Sequence, residues 1–179
     1  MNARDILHFW FEEATPAQHF RKDTVFDAVI RARFAEIHRA ASQGELSAWR
    51  DTPDGRLAEI IVLDQFSRNL FRDDARAFAA DGMALVLAQE AIRAGADREL
   101  PPARCAFLYM PFMHSESRAI HVDAERLFRQ PGLEDNYKFE LGHKAIIDRF
   151  GRYPHRNKVL GRTSTPEELA FLERSDSSF

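Results

Sequence analysis

The residues GRLAEIIVLDQFSRNLFR, numbers 55–72, give the clearest indication of how this chain folds. Their apolar side chains recur three or four positions apart, which is the spacing of a buried α-helical face. Asp64 and Arg68 fall in the middle of this face. Because an isolated buried charge is costly, we expect this oppositely charged pair to meet each other or a further polar group.

Two interpretations of this polar pair stay open. In the first, Asp64 and Arg68 form an internal ion pair that fixes how the helix packs. In the second, Arg68 and the neighbouring Asn69 form part of a pocket wall. Gln65 flanks the pair one face away, as Asn69 does, and is included among the candidate site residues.

Apolar residues recur at helical spacing along almost the entire chain, and no stretch has the alternation of a β-hairpin. We therefore predict an all-α fold, with about eight helices in antiparallel pairs and one domain over residues 1–179. The predicted helices cover 6–11, 23–44, 55–71, 73–95, 100–113, 118–130, 135–152 and a last one that Thr165 caps. We expect Gly95 to end the fourth helix, and Pro111 to end or kink the fifth.

The composition is typical of a soluble globular protein and argues against several function classes. Of the 179 residues, 45% are hydrophobic and 30% charged, and the net charge of −3 offers no general attraction to nucleic acid. Cys105 is the only cysteine, so no internal disulfide forms and a reducing, cytoplasmic location is expected. Neither a signal peptide nor an apolar run long enough for a membrane is recognisable.

A second polar region follows an apolar helix in YMPFMHSES, residues 109–117. Here His114, Ser115 and Glu116 come directly after the helix, a position from which polar groups readily line a cleft. Ser115 is equally suited to cap the next helix, and His114 to be an ordinary core or surface histidine. His114 and Glu116 do not share a helix face, and no established metal-ligand spacing occurs, so neither a metal nor a cofactor is predicted.

A third polar region is the cationic segment RFGRYPHRNKVLGRTSTPEE, residues 149–168. It holds four arginines, a lysine and a histidine, and its first fourteen residues carry no carboxylate. One interpretation is a solvated surface. The other is an anion-accepting loop, shaped by Gly151, Pro154 and Gly161 and leading into a helix N-terminus at Thr165.

His143 lies on the apolar stripe of the helix before this cationic segment and is expected to point inward. It is interpreted either as a buried neutral histidine that a backbone carbonyl satisfies, or as a residue of the site.

Three motifs carry a resemblance to a known family. They are LAEIIVLDQFSRNLFR with the following ARAFAAD, then FLYMPFMHSE, and then the cationic segment. In this order and spacing the chain resembles a bacterial family catalogued as domain of unknown function 924, which implies an all-helical, tetratricopeptide-like superhelical fold and no known activity. Ser67 stands where the family pattern usually has proline.

The resemblance also implies which polar residues belong to a site. The matching positions are Asp64, Gln65, Arg68, Asn69, His114, Ser115, Glu116, Arg149, Arg152, His155, Arg156 and Asn157. We predict that the three segments converge and bind a small anionic ligand, a carboxylate or phosphate, with catalysis left open. The alternative is a tetratricopeptide-like scaffold that captures an acidic peptide or a C-terminal carboxylate.

Overall fold

The computed structural model describes residues 1–174, which form helices and turns without any β-strand, so the all-α prediction is confirmed. Two of the helices, α1 and α4, contain a π-helical turn. The helices are α1 (Ala3–His8 with Phe9–Glu13), α2 (Pro16–Phe20), α3 (Thr24–Ser42), α4 (Pro53–Ile61, Val62–Phe66 and Ser67–Leu70), α5 (Asp81–Arg93), α6 (Pro102–Met113), α7 (Arg118–Phe128), α8 (Glu134–Phe150) and α9 (Pro166–Leu172).

Helix α4 lies at the centre of the fold, because it packs against α1, α3, α5 and α6. Its apolar side chains from Ile60 to Leu63, and Phe66, have no solvent exposure. Burying one such large side chain stabilises the fold by about 1.5–3 kcal/mol relative to leaving it in water. At the start of α4, Gly55 passes so close to Trp49 that an added Cβ would lie 1.9 Å from the Trp49 carbonyl oxygen.

The remaining helices follow one another in space as they do in sequence, with α5 packed on α6, α6 on α7 and α7 on α8. Gly95 ends α5, as expected, and Gly151 ends α8; both adopt the left-handed conformation, with φ of 80° and 70°. Pro111 lies inside α6, which continues to Met113, so this proline does not end the helix.

The fourth predicted helix, residues 73–95, is wrong in its first part. A one-turn 3-10 helix, Ala75–Phe78, is followed by a separate α5 that begins at Asp81. Asp73 has a positive φ of 62°, and the side chain of Asp74 accepts a hydrogen bond from the backbone N–H of Arg76. These two aspartates therefore direct the chain into a turn where the alanine-rich sequence favours a helix.

Thr165 caps α9 through a capping box with Glu168, as predicted. The short helix α2 was not predicted from the sequence. Among residues 1–174, no helix is long and apolar enough to cross a membrane.

Candidate functional site

A pocket of about 320 Å³ opens where the turn before α5, the end of α6 and the cationic segment meet. One side of its wall is apolar, formed by Ala75, Phe78, Leu85, Pro111 and Leu160. The other side is polar, formed by Asp81, His114, Ser115, Glu116 and Arg156. All three polar regions of the sequence thus converge here, because the α4 pair Asp64 and Arg68 contacts this polar wall from behind.

Asp64 contacts His114 from behind this wall. Oδ1 of the fully buried Asp64 lies 2.8 Å from Nδ1 of His114, and Oδ2 accepts a hydrogen bond of 2.5 Å from Nε2 of Gln65. Burial acts to raise the pKa of Asp64, but the charge of Arg68 and the hydrogen bonds from His114 and Gln65 outweigh it and hold this pKa well below its usual range. Asp64 is therefore ionised, so Nδ1 of His114 carries the proton and donates a hydrogen bond to Asp64.

Arg68 forms the predicted ion pair with Asp64, at 3.1 Å, and also binds a second acid. Its two terminal nitrogens donate to the two carboxylate oxygens of Asp81 at 3.0 and 3.1 Å. Asp81 is not among the predicted site residues, although it is the last residue of the ARAFAAD motif. Arg68 thus joins α4 to α5 behind the pocket and does not line it.

Arg156 lines the pocket and has few polar partners. Only 6% of the residue is exposed, and the single hydrogen bond of its side chain to a described residue runs from Nη1 to Asp81, at 3.3 Å. Its Nε is buried and has no partner in residues 1–174. The guanidinium instead lies over the rings of Phe78 and Tyr153, at 4.4 and 4.7 Å, and burial together with the nearby Arg68 lowers its pKa.

Glu116 ties the end of α6 to the cationic segment. It accepts hydrogen bonds from both terminal nitrogens of Arg162, at 2.6 and 2.9 Å, and from the backbone N–H of Tyr153, at 2.7 Å. Burial acts to raise the pKa of Glu116, but these donors hold it below its usual value. Glu116 is thus an ionised anchor whose charge Arg162 neutralises.

Most of the cationic segment does not face the pocket. Arg149 pairs with Glu167, at 2.7 Å, and Arg152 pairs with Glu168, also at 2.7 Å. The backbone N–H of Thr165 donates to Glu168, so the N-terminus of α9 is closed by its own capping box. Two of the donors at this helix end, which were assigned to an anion from the sequence, are thus already bound by Glu168 and by the Thr165 hydroxyl.

Two asparagines of the candidate set have internal partners outside the pocket. Asn69 donates to Asp27 of α3 at 2.8 Å. Asn157 donates to Ser164 and Glu168, at 3.0 and 3.3 Å, and so holds the cationic segment in shape.

Neither His155 nor His143 lines the pocket. His155 packs against Tyr153, its Nδ1 is buried with no partner among the described residues, and burial lowers its pKa to about 4. Nδ1 of His143 donates to the carbonyl of Phe139 at 2.8 Å, which agrees with the interpretation of a buried neutral histidine.

The comparisons with known proteins identify the family but no activity. A family model described as bacterial protein of unknown function (DUF924) matches residues 6–176. The solved structure of the protein of unknown function ATU0120 from Agrobacterium tumefaciens is similar, with a TM-score of 0.91 and 40% sequence identity over 96% of each chain. No protein with curated annotation matches this chain. Because the family model spans nearly the whole sequence, the chain belongs to the bacterial DUF924 family.

Proposed function

We propose that the pocket binds a small molecule carrying a carboxylate or phosphate group, and that Arg156 holds this group. The observation that carries the proposal is the state of Arg156, a buried cation whose side chain has, within residues 1–174, one long hydrogen bond and an Nε without a partner. Buried charges are normally paired and fully hydrogen-bonded, because leaving donors unmet costs free energy. An anion in the pocket supplies the acceptors that Arg156 lacks, in the forked geometry that guanidinium groups favour.

The arrangement of charges supports an anion here, although Asp81 also lines the pocket. Asp81 is bound through both oxygens by Arg68, so it keeps its ion pair when Arg156 turns toward a ligand. Glu116 is likewise neutralised by Arg162. Among the charged side chains that line the pocket, Arg156 therefore has the least complete pairing.

The rest of the wall limits what kind of molecule fits. A volume of about 320 Å³ is near the lower end for small-molecule pockets and suits a metabolite-sized ligand. Phe78, Leu85 and Leu160 offer an apolar surface to its carbon skeleton. The side chain of His114 offers an acceptor to a ligand hydroxyl or amine, because its Nδ1 proton is already bound by Asp64.

Isothermal titration calorimetry with inorganic phosphate and with succinate tests this proposal. We expect saturable binding to the wild type and loss of binding in Arg156→Ala. Arg149→Ala is the matched control, because it removes the same charge from the same segment at a position paired with Glu167 on the surface. Equal binding by wild type and Arg156→Ala, or no binding by either, would contradict the proposal.

The alternative function, a tetratricopeptide-like scaffold for an acidic peptide or a C-terminal carboxylate, has less support. An extended acidic peptide needs several available cations, whereas Arg149, Arg152 and Arg162 pair with carboxylates of the chain itself. Titration of the same variants with an acidic peptide separates the two functions. Binding of the peptide without binding of phosphate or succinate would favour the scaffold.

A further inference from the structure

We infer that His114 is a general base that removes a proton from a hydroxyl group of the bound molecule, or of a water beside it, with Asp64 as its positioning residue. This inference rests on the proposed ligand site and deepens it, since it assigns a reaction step to the pocket. The substrate class is a small carboxylate or phosphate that has a reactive O–H or is attacked by water.

The geometry of the two residues supports this role. His114 lines the pocket, and its Nδ1 is turned away to Asp64 at 2.8 Å. Nε2 makes no hydrogen bond to any residue from 1 to 174, so its lone pair is left for the pocket contents. A buried aspartate that fixes the tautomer of a histidine in this way is the arrangement that makes imidazole a base in hydrolases.

Asp64 is itself held in place, which is required of a positioning residue. Gln65 donates to its Oδ2, and Arg68 approaches its Oδ1 at 3.1 Å. Rotation of the carboxylate away from His114 would break both contacts. The fixed carboxylate therefore keeps the proton of a neutral His114 on Nδ1.

The groups around His114 agree with an unprotonated base near neutral pH. Burial and Arg68 lower the pKa of His114, while Asp64 and Asp81 act in the opposite direction. His155 in the cationic segment and His143 in α8 carry no negative charge that would favour protonation of His114. Arg156, on the same pocket wall, also disfavours an imidazolium.

The proposed step balances without any further reagent. An O–H bond of the substrate or of water breaks, its electron pair stays on the oxygen, and the proton forms a new bond to Nε2 of His114. The imidazolium that results is stabilised by Asp64, and the negative charge on oxygen by the guanidinium of Arg156. No nucleophilic side chain is required, and Ser115 Oγ instead accepts a hydrogen bond from the N–H of Ser117.

The tautomer of His114 is the first test, and it needs no substrate. In ¹⁵N-labelled wild type at pH 7, we expect NMR to find a neutral imidazole with its proton on Nδ1. In an Asp64→Asn variant that circular dichroism shows to keep the helical content of the wild type, we expect a larger share of the other tautomer. A protonated imidazolium at pH 7, or a proton on Nε2 in the wild type, would overturn the inference.

Turnover is the second test, made with a bacterial metabolite extract as the probe and mass spectrometry as the readout. We expect wild type to consume at least one carboxylate or phosphate metabolite, and His114→Gln to do so on the order of 100- to 10,000-fold more slowly. His114→Gln should still bind inorganic phosphate, because Arg156 is intact.

The outcomes separate the two proposals. Phosphate binding without consumption of any metabolite by wild type, or equal consumption by His114→Gln, would overturn the catalytic role and leave the ligand site standing. Absence of binding in every variant and in wild type would remove both.

Discussion

Nδ1 of His114 lies 2.8 Å from Oδ1 of Asp64, although 50 positions separate the two residues in the chain. This contact joins the central helix α4 to the end of α6, at the place where the polar wall of the pocket begins. Asp64 accepts hydrogen bonds from His114 and Gln65 and pairs with Arg68. The same carboxylate thus supports both the packing of the core and the proposed chemistry.

Replacement of Asp64 by alanine is expected to destabilise the protein strongly. The change leaves His114 Nδ1 and the amide of Gln65 without their acceptor in a buried place, at a cost of about 3–5 kcal/mol in the free energy of unfolding. Asp135→Ala is the control, because Asp135 pairs with Lys138 on the surface and its side chain is 86% exposed. Urea denaturation monitored by circular dichroism measures both, and a similar small loss for the two variants would contradict the prediction.

The stability of the protein is expected to fall as the pH drops below about 6.5, the ordinary pKa of histidine. Burial lowers the pKa of His143 to about 3 and that of His155 to about 4. Because the unfolded chain then binds more protons than the folded protein, the free energy of unfolding decreases with falling pH from about 6.5 towards these lower values. Each histidine contributes at most about 1.4 kcal/mol per pH unit.

Urea denaturation at pH 7, 6 and 5 measures this dependence. His143→Gln should reduce the slope between pH 6.5 and 5, since one of the two histidines no longer titrates. A free energy of unfolding that stays constant over this interval would show that the folded protein takes up these protons as readily as the unfolded chain does.

Asp81→Asn is expected to strengthen anion binding while it weakens the fold. The carboxylate of Asp81 pairs with Arg156 on the pocket wall, so its neutral replacement removes a competing negative charge and leaves Arg156 for a bound anion. We expect phosphate to bind roughly tenfold more tightly, which corresponds to about 1.4 kcal/mol. Calorimetry at low and moderate salt measures the effect, and weaker binding than in wild type would mean that Asp81 positions Arg156 for the ligand.

The sequence predicts the helices well where local rules decide them. Three features depend only on residues close together in the sequence, which therefore predicts them: the apolar periodicity of α4, the left-handed Gly95 and the capping box of Thr165. The pairing of Asp64 with Arg68 was also predictable, because burial of either charge alone is costly.

The partners of the cationic segment were not predictable, because they depend on how the loop folds back. Arg149 and Arg152 meet Glu167 and Glu168, which lie 18 and 16 positions later and belong to α9. Counting charges along the chain showed an excess of cations, whereas the folded loop neutralises most of them. Arg156 lies deeper in the structure and keeps the least complete pairing.

The contact between Asn69 and Asp27 was not predicted either, for a different reason. Val62–Phe66 forms a π-helical turn, which accommodates an extra residue, so the residues after it are rotated relative to a regular α-helix. Asn69 consequently contacts Asp27 of α3 and not the pocket. Neither the composition nor the spacing of apolar residues predicts such a turn.

The most direct measurement of the central claim is an NMR titration of the arginine side-chain Nε–H groups with inorganic phosphate, with Arg156→Lys used to assign the Arg156 resonance. If the pocket binds the anion through Arg156, this resonance shifts in a saturable way while that of the surface-paired Arg149 shows no saturable change. An Arg156 resonance that stays in place, or that moves linearly along with the surface arginines, would contradict the account.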